Sequence, residues 1–278
     1  MSYVPINREL IKKALEEDLA GGEDITSMAT VSGSEKVVAD FVARKAGVVA
    51  GVLMAKTVLE EVGLTDIKVL VEDGTQVKAG TTLMSVRGDT RAILLAERTA
   101  LNFYSHLSGI ATLTSIWVKE IAGTKCRVRD TRKTTPGYRK LEKYAVRIGG
   151  GTNHRMSLSD AALIKDNHIA AAGGVKEAFN KVRAKYPSAQ IEIEVDTLEQ
   201  LKDVLTEKPD LVLLDNMTPE QCKEAVAIVA GKVALEASGG INLENARAYA
   251  ETGVDFLAIG ALTHSAPVFD IGLDLRAE

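Results

Sequence analysis

The second half of the chain alternates short strands and helices with a nearly constant period, and this regularity limits its fold more than any other feature. Consecutive strand-like runs are 21, 22 and 22 residues apart, beginning at residues 190, 211, 233 and 255. Two earlier runs, 126–131 and 162–167, extend the series. Strands alternating with helices predict a parallel sheet. The short period favours an α/β barrel of the TIM-like type over an open sheet with longer crossovers.

Residues 1–114 follow a different pattern and are predicted to form a separate α+β sandwich domain. Strands are expected at 36–48, 66–72 and 81–87 with a helix at about 52–62, and residues 90–122 have the periodicity of one or two long helices. The predicted domains are therefore residues 1–114 and a barrel at 115–278, with the final residues able to pack back on the first domain.

The composition is that of a globular protein and predicts a cytoplasmic location. The longest nearly apolar run, residues 46–55, is about half the roughly 20 residues that a membrane helix needs. The N-terminus lacks the pattern of a signal peptide, and Cys126 and Cys222 are too few and too far apart for a disulfide framework. A net charge of −4 gives no reason to expect nucleic-acid binding. We therefore expect neither a membrane nor a nucleic acid as partner.

Local charge contrasts with the overall charge. Residues 127–165 contain ten Lys or Arg and three acids, so this segment carries +7. Arginine offers paired donors that suit carboxylates and phosphates, and lysine offers a compact charge. Five residues are interpreted as a cage for a substrate with two or more carboxylates: Arg132, Lys133 and Lys165 near predicted strand ends, and His154 and Arg155 after the glycine run 149–151. That run is predicted to be a loop that delivers Asn153, His154 and Arg155. We interpret Arg139, Lys140, Lys143 and Arg147, at helical spacing, as a solvated helix face and leave them out of the site.

Later strands end in acidic residues and glycines. Glu194 and Asp215 are carboxylates of the kind that hold Mg²⁺ together with substrate phosphates and hydroxyls. Residues 238–241 (SGGI), preceding a helix predicted to begin at residue 242, and 259–262 (IGAL) are glycine-containing turns in the last two strand loops, the usual phosphate position in such barrels. A single polar strand end is as easily a structural ion pair. Independent ion pairs have no reason to gather at one end of every strand, so a shared pocket is expected.

With these residues in view, the chain resembles the quinolinate phosphoribosyltransferase family over nearly its whole length. The runs DTRKTTPG, GGGTNHR and KDNH occur in order and are highly specific. The other matching runs are EDLAGGEDITS, ERTALNFYSHLSGIAT, IEIEVD, LVLLDN, EASGGI and GVDFLAIGALTHS. No core motif departs from the family pattern. The resemblance implies an N-terminal sandwich domain and a barrel of the type II phosphoribosyltransferase kind.

The resemblance also implies an activity and a role for each motif. Phosphoribosyl pyrophosphate and quinolinate, with Mg²⁺ as cofactor, would give nicotinate mononucleotide, pyrophosphate and CO₂ in NAD biosynthesis. The enzyme would be a homodimer or higher oligomer in which Arg98 is donated across the interface. Residues expected around quinolinate are Arg98, Thr131, Arg132, Lys133, His154, Arg155 and Lys165. Those expected around phosphoribosyl pyrophosphate are Glu194, Asp215, Asn216, Ser238, Gly239, Gly240, Ile259, Gly260 and Ala261. The catalytic residues would be Lys133, Lys165, Glu194 and Asp215, the last two holding Mg²⁺ directly or through substrate or water.

Three alternatives remain open at this stage. The first is a paralogue on the same fold, such as the molybdenum-transport-associated proteins or a transferase for another pyridine acid. The second is a Schiff-base aldolase with Lys165 as nucleophile. The third is a carrier or phosphate-binding module, because residues 71–88 resemble a biotinyl or lipoyl hairpin, although they lack its attachment lysine. His106, His168 and His264 are interpreted as structural, since no second histidine lies at ligand spacing.

Overall fold

The structure is a computed structural model that describes residues 5–33 and 35–276. It has two units. The first contains the described residues up to Ser115, Lys140–Gly150 and those from Ser265 on, and the second contains Ile116–Arg139 and Gly151–His264. The domain boundary between residues 114 and 115 stays a prediction, because a division by packing does not define independently folding domains.

The described residues form twelve strands and eleven helices. The strands are β1 (Lys36–Ala43), β2 (Gly47–Val48), β3 (Asp66–Val69), β4 (Gln76–Val77), β5 (Thr82–Asp89), β6 (Arg127–Arg129), β7 (Ala162–Ile164), β8 (Ile191–Val195), β9 (Leu211–Asp215), β10 (Ala234–Ser238), β11 (Phe256–Ala258) and β12 (Ile271–Arg276). The helices are α1 (Arg8–Leu19), α2 (Ile25–Thr30), α3 (Val52–Glu61), α4 (Thr90–Glu120), α5 (Arg139–Ile148), α6 (Asp166–Ala172), α7 (Val175–Lys185), α8 (Leu198–Leu205), α9 (Pro219–Val229), α10 (Ala246–Glu251) and α11 (Ala261–His264).

The first unit has a four-stranded antiparallel sheet in the order β12-β1-β5-β3. Alternate residues of β1, namely Ala39, Phe41 and Ala43, are fully buried, as expected for a strand with one face on a core. On α4, Ile93, Ala96 and Ala100 begin a buried stripe at helical spacing. The described residues include no helix with the length and hydropathy needed to cross a bilayer.

The C-terminal segment of the first unit lies directly against α4. A Cβ atom on Gly109 would be 2.2 Å from the carbonyl oxygen of Pro267, so only glycine fits this helix position. The main-chain N–H of Phe269 donates to the carbonyl of Ser105 at 3.0 Å. These contacts lead the chain into β12, which pairs with β1 from Val38 to Ala43.

The burial of α5 corrects the prediction that its basic residues form a solvated face. Lys143 is fully buried, whereas Lys140 and Arg147 are exposed and Arg139 is intermediate. The solvated-face prediction is therefore wrong for Lys143. The reason is that α5 is buried around most of its circumference from Leu141 to Val146. Helical spacing shows which charges share a face but not whether that face meets water.

The second unit confirms the predicted parallel sheet. Its six strands have the order β6-β11-β10-β9-β8-β7, and each lies within the range predicted from the sequence. A bridge from Arg129 to Thr152 continues the sheet beyond β6, and no ladder among the described residues joins β7 to β6. The predicted parallel α/β architecture is thus confirmed, while the described residues form no closed ring of hydrogen bonds.

Helix starts in this unit follow local capping chemistry. The Thr197 and Thr218 side chains accept the third helical N–H of α8 and α9, as the sequence signals predict. After SGGI, the helix begins at Ala246 and not at residue 242. The side chain of Asn242 accepts the N–H groups of Glu244 and Asn245 at 2.9 and 3.1 Å, and this turn delays the helix.

Candidate active site

A cavity of about 730 Å³ opens at the carboxyl ends of the parallel strands of the second unit. All predicted site residues except Arg98 line it. They are Thr131, Arg132, Lys133, His154, Arg155, Lys165, Glu194, Asp215, Asn216, Ser238, Gly239, Gly240, Ile259, Gly260 and Ala261. Arg98 lies on α4 in the other unit, with its side chain 75% exposed, and lines a separate cavity of about 400 Å³.

The cationic part of the cavity is positioned by buried main-chain and side-chain contacts. Asp130, fully buried, accepts the main-chain N–H of His154 at 2.9 Å and also bonds the amide of Asn153. Arg155 donates to the carbonyl of Ala161 at 2.7 Å. The loop at residues 149–151 therefore delivers His154 and Arg155 to the cavity, as predicted, whereas Asn153, which was predicted with them, bonds Asp130 and does not line it.

The cations are crowded and partly desolvated. Burial lowers the pKa of Arg155, and the neighbouring Arg132 lowers it further. The buried Nε atom of Arg132 has no hydrogen-bond partner among the described residues. Because an unpaired buried donor is costly, an anion that satisfies it would gain binding energy.

The acidic part of the cavity lies on β8 and β9. Lys165 donates to Glu194 at 2.5 Å, with the Glu194 side chain 10% exposed. Burial raises the pKa of Glu194 despite Lys165, and the charge of Asp215 contributes to the rise. Burial also raises the pKa of Asp215, with Lys165 opposing and Asp196 adding to the shift. A further cation beside these two carboxylates would stabilise their charged forms.

The glycine turns let the main chain line the cavity closely. Gly239 has φ +90°, and a Cβ atom there would be 2.1 Å from Oδ1 of Asn216. Asn216 is itself left-handed, at φ 53°, and its N–H donates to the carbonyl of Ser238 at 2.8 Å. At the other turn, a Cβ atom on Gly260 would be 3.0 Å from Cδ of Lys133. Side chains at either glycine would fill space next to predicted site residues.

Sequence reasoning missed a charged cluster inside the barrel. His154 Nε2 lies 2.6 Å from Glu192 and 3.7 Å from Glu236, while Arg129 donates to Glu236 at 2.7 Å. Glu236 lines the main cavity, but Arg129 and Glu192 do not. Each cluster member on a strand lies two residues before a predicted site residue, namely Thr131, Glu194 and Ser238. The available sequence signal was this spacing of two residues, which places side chains on the same face of a strand.

The three lone histidines have different surroundings. His168 accepts the N–H of Lys165 at 3.0 Å, and His106 bonds the buried Glu142 at 2.9 Å. Both contacts suit the predicted structural roles. His264 also lines the main cavity. Within the described residues, the one three-donor cluster of metal-ligand type is His154, Glu192 and Glu236, which includes none of these three.

Glu236 should make stability depend on pH. Burial, followed by the charge of Glu192, raises its pKa from 4.5 to about 7. The folded state thus holds this proton more tightly, so its stabilising effect is full below about pH 4.5 and is lost as the pH rises through about 7. In urea titrations from pH 5 to 8, the free energy of unfolding of Glu236→Gln should fall less steeply with pH than that of the unmodified protein. The difference in slope should be at most about 1.4 kcal/mol per pH unit. The exposed Glu224→Gln control should keep the original slope; equal slopes for Glu236→Gln and the unmodified protein would contradict the assignment.

Comparisons with known proteins agree with this geometry. Two family models match, described as the N-terminal and C-terminal domains of quinolinate phosphoribosyl transferase, at residues 24–108 and 110–274. A carboxylating nicotinate-nucleotide pyrophosphorylase of Mycobacterium leprae is 54% identical over 274 residues, 96% of both chains. The solved nicotinate-nucleotide pyrophosphorylase of Ehrlichia chaffeensis matches with a TM-score of 0.94 and 40% identity, covering 99% of this chain and 100% of that one. The chain therefore belongs to the quinolinate phosphoribosyltransferase family.

Proposed function

We propose that this protein transfers phosphoribosyl from phosphoribosyl pyrophosphate to quinolinate with decarboxylation, giving nicotinate mononucleotide, pyrophosphate and CO₂ for NAD biosynthesis. The observation that carries the proposal is the convergence of cations and carboxylates on one 730 Å³ cavity. Family membership supports the reaction, because the relatives carry the name carboxylating nicotinate-nucleotide pyrophosphorylase.

Quinolinate would bind on the cationic side. Its two adjacent carboxylates need paired, directional donors, which Arg132 and Arg155 supply, while Lys133 and Lys165 add compact charges. Thr131 and His154 complete the proposed set around the pyridine acid. The unpaired Nε of Arg132 supports this assignment, since a substrate carboxylate would satisfy it.

Phosphoribosyl pyrophosphate would bind across β8 to β11. Glu194 and Asp215 would hold the ribose hydroxyls, and Asn216 would fix the turn beside them through its bond to Asp215 at 2.7 Å. Ser238–Gly240 and Ile259–Ala261 would hold the 5′-phosphate with main-chain donors, as the last two strand loops do in related barrels.

The proposed cofactor is Mg²⁺. Its fit rests on the donor set, because Glu194 and Asp215 are oxygen ligands in a desolvated place where their pKa values are raised. Two carboxylates do not make a complete cage, so substrate oxygens or water would supply the rest. When bound, the ion would neutralise charge on the departing pyrophosphate.

Catalysis would come from positioning and electrostatics, with no protein nucleophile. Transfer at the anomeric carbon develops positive charge on the ribose, which Glu194 and Asp215 would stabilise from fixed positions. Lys133 and Lys165 would hold the anionic groups in line for transfer. After transfer, the cationic pyridine nitrogen would stabilise the carbanion that remains on the neighbouring ring carbon when its carboxylate departs as CO₂. A proton from water would then replace the carboxylate and give nicotinate mononucleotide. The geometry disfavours an aldolase, because the Lys165 ammonium is paired with Glu194.

The assembly is proposed to be a homodimer, with a higher oligomer as the alternative, in which Arg98 completes the quinolinate site of the partner subunit. Arg98 does not line the main cavity of its own chain, and its side chain is 75% exposed. A cytoplasmic location is also proposed; the two buried, free cysteines, Cys126 and Cys222, suit a reducing compartment.

The direct test is product formation by the purified protein. Quinolinate and phosphoribosyl pyrophosphate with Mg²⁺ should give pyrophosphate and CO₂ in equal amounts, and EDTA should abolish both. Nicotinate in place of quinolinate distinguishes a paralogue with another pyridine acid as substrate. Turnover of nicotinate without turnover of quinolinate would refute the proposed function.

Replacing Arg132 tests the cationic side. Arg132→Ala should weaken quinolinate binding at least about tenfold, because a charged hydrogen bond contributes about 1.5–3 kcal/mol. Isothermal titration calorimetry measures this directly. Arg127→Ala is the matched control, since Arg127 lies on β6, the strand that precedes Arg132, but does not line the cavity. Unchanged quinolinate affinity in Arg132→Ala would remove it from the site.

Mixed dimers test the donation of Arg98. Arg98→Ala and Lys165→Ala should each be nearly inactive as homodimers. A heterodimer purified through two different tags should recover about half of the unmodified activity, because one of its two symmetry-related sites is then intact. An inactive heterodimer would show that both residues act in the same subunit.

A further inference from the structure

Glu192 lies behind the proposed quinolinate site and has no role in the function described above. We propose that Glu192 is a positioning residue for the substrate dicarboxylate, which it serves by fixing the imidazole ring of His154 at the edge of the cavity. This inference rests on the proposed function and assigns a specific task to a residue outside the cavity.

The contact between these side chains is short and almost sealed from water. His154 Nε2 lies 2.6 Å from Oε2 of Glu192, and the two side chains are 9% and 7% exposed. His154 lines the 730 Å³ cavity, whereas Glu192 lines a second cavity, of about 440 Å³, formed by residues at the amino ends of the strands. His154 lines both cavities. The imidazole therefore lies between the two spaces, with its carboxylate partner on the side away from the substrate.

This arrangement determines how the ring is held. An ionised carboxylate only accepts hydrogen bonds, so we assign the proton that joins the two side chains to Nε2. The ring orientation is then fixed by Glu192, just as the main chain of His154 is fixed by its 2.9 Å bond to Asp130. A carboxylate behind a functional histidine fixes its tautomer and orientation in other enzymes by the same chemistry.

The neighbouring carboxylate has a different partner. Glu236 is fully buried and accepts from Arg129 at 2.7 Å, and that guanidinium also lies 3.9 Å from the Phe256 ring centroid. Within the described residues, the Glu192 side chain makes its hydrogen bond to His154 through Oε2, while Oε1 of Glu192 is buried without a partner. Arg129 thus serves Glu236, and Glu192 is left to serve His154.

A divalent cation is the competing explanation of this cluster. Donor atoms of His154, Glu192 and Glu236 lie within 4.8 Å of one another. However, Arg129 already occupies one oxygen of Glu236 and places a positive charge beside the position that a metal would take. The geometry therefore favours a histidine held by a carboxylate.

Steady-state kinetics of Glu192→Gln test the proposal. This change keeps the size of the side chain but replaces the carboxylate with an amide that can donate as well as accept, so the side chain no longer fixes which ring nitrogen carries the proton. The KM for quinolinate should rise at least about fivefold, and the KM for phosphoribosyl pyrophosphate should stay within about twofold. A lower KM for quinolinate would overturn the proposal, because Glu192 would then only screen the cationic side chains.

A double-mutant comparison separates positioning from general damage. If Glu192 acts through His154, Glu192→Gln should have no further effect on the quinolinate KM in a His154→Ala background. Additive effects would overturn the proposal. Glu142→Gln is the matched control, since Glu142 is a fully buried partner of His106 and neither lines the cavity. Its quinolinate KM should be unchanged, and an equal rise would assign the effect to loss of any buried carboxylate.

Two further measurements keep the outcome decisive. If Glu192→Gln does not fold, Glu192→Asp takes its place, because it withdraws the carboxylate by one methylene. This variant should also raise the quinolinate KM. Elemental analysis of the purified unmodified protein tests the metal alternative; one bound ion per chain that is lost in Glu192→Gln would overturn the positioning role. An unmodified protein that turns over no quinolinate would refute the proposed function itself. Normal turnover by the unmodified protein, together with an unchanged quinolinate KM in Glu192→Gln, would refute only the positioning role.

Discussion

The parallel register of the second unit is the constraint on which the candidate site depends. Ser238 lies opposite both Asp215 and Ala258, and Glu194 lies opposite Leu213. In-register parallel strands bring their carboxyl ends to one edge, and alternation assigns every second side chain to the interior. A slip of one residue on β8 would exchange Glu194 for its apolar neighbours. The backbone pairing therefore determines which side chains of these strands face the site.

The second organising principle is the separation of charge along the chain. Cations come from the segment between Arg132 and Lys165, and the acids come from later strands, so the two halves of the proposed chemistry meet only when the sheet is complete. Desolvation makes each group costly alone, as the raised pKa values of Glu194 and Asp215 indicate. Mixed charge in one cavity limits that cost through pairs such as Lys165 with Glu194. An anionic substrate would complete the balance on the cationic side.

Much of this fold and site could be predicted from the sequence, and the reasons for the failures are physical. The strand period predicted the sheet because hydrophobic alternation and capping are local signals, as at Thr218. The burial of Lys143 was not predictable, since spacing does not show what a helix packs against. Glu192 was missed because its importance arises from contact with His154, 38 positions earlier in the chain. Whether hydrogen bonds join the parallel strands into a closed ring depends on backbone pairing at Thr152 and β7. The pattern of apolar and polar residues in the sequence does not encode that pairing.

The pairing of β12 with β1 has a consequence for the way the chain folds as it is made. Residues 271–276 complete the sheet edge offered by residues 38–43, although they are synthesised more than two hundred positions later. Until residues 271–276 have been synthesised, β1 lacks one neighbour and offers unpaired main-chain groups along that edge. The strands of the second unit, by contrast, all precede β12 in the chain, so they are synthesised before it. The sheet of the first unit is therefore completed only after every strand of the second unit has been synthesised.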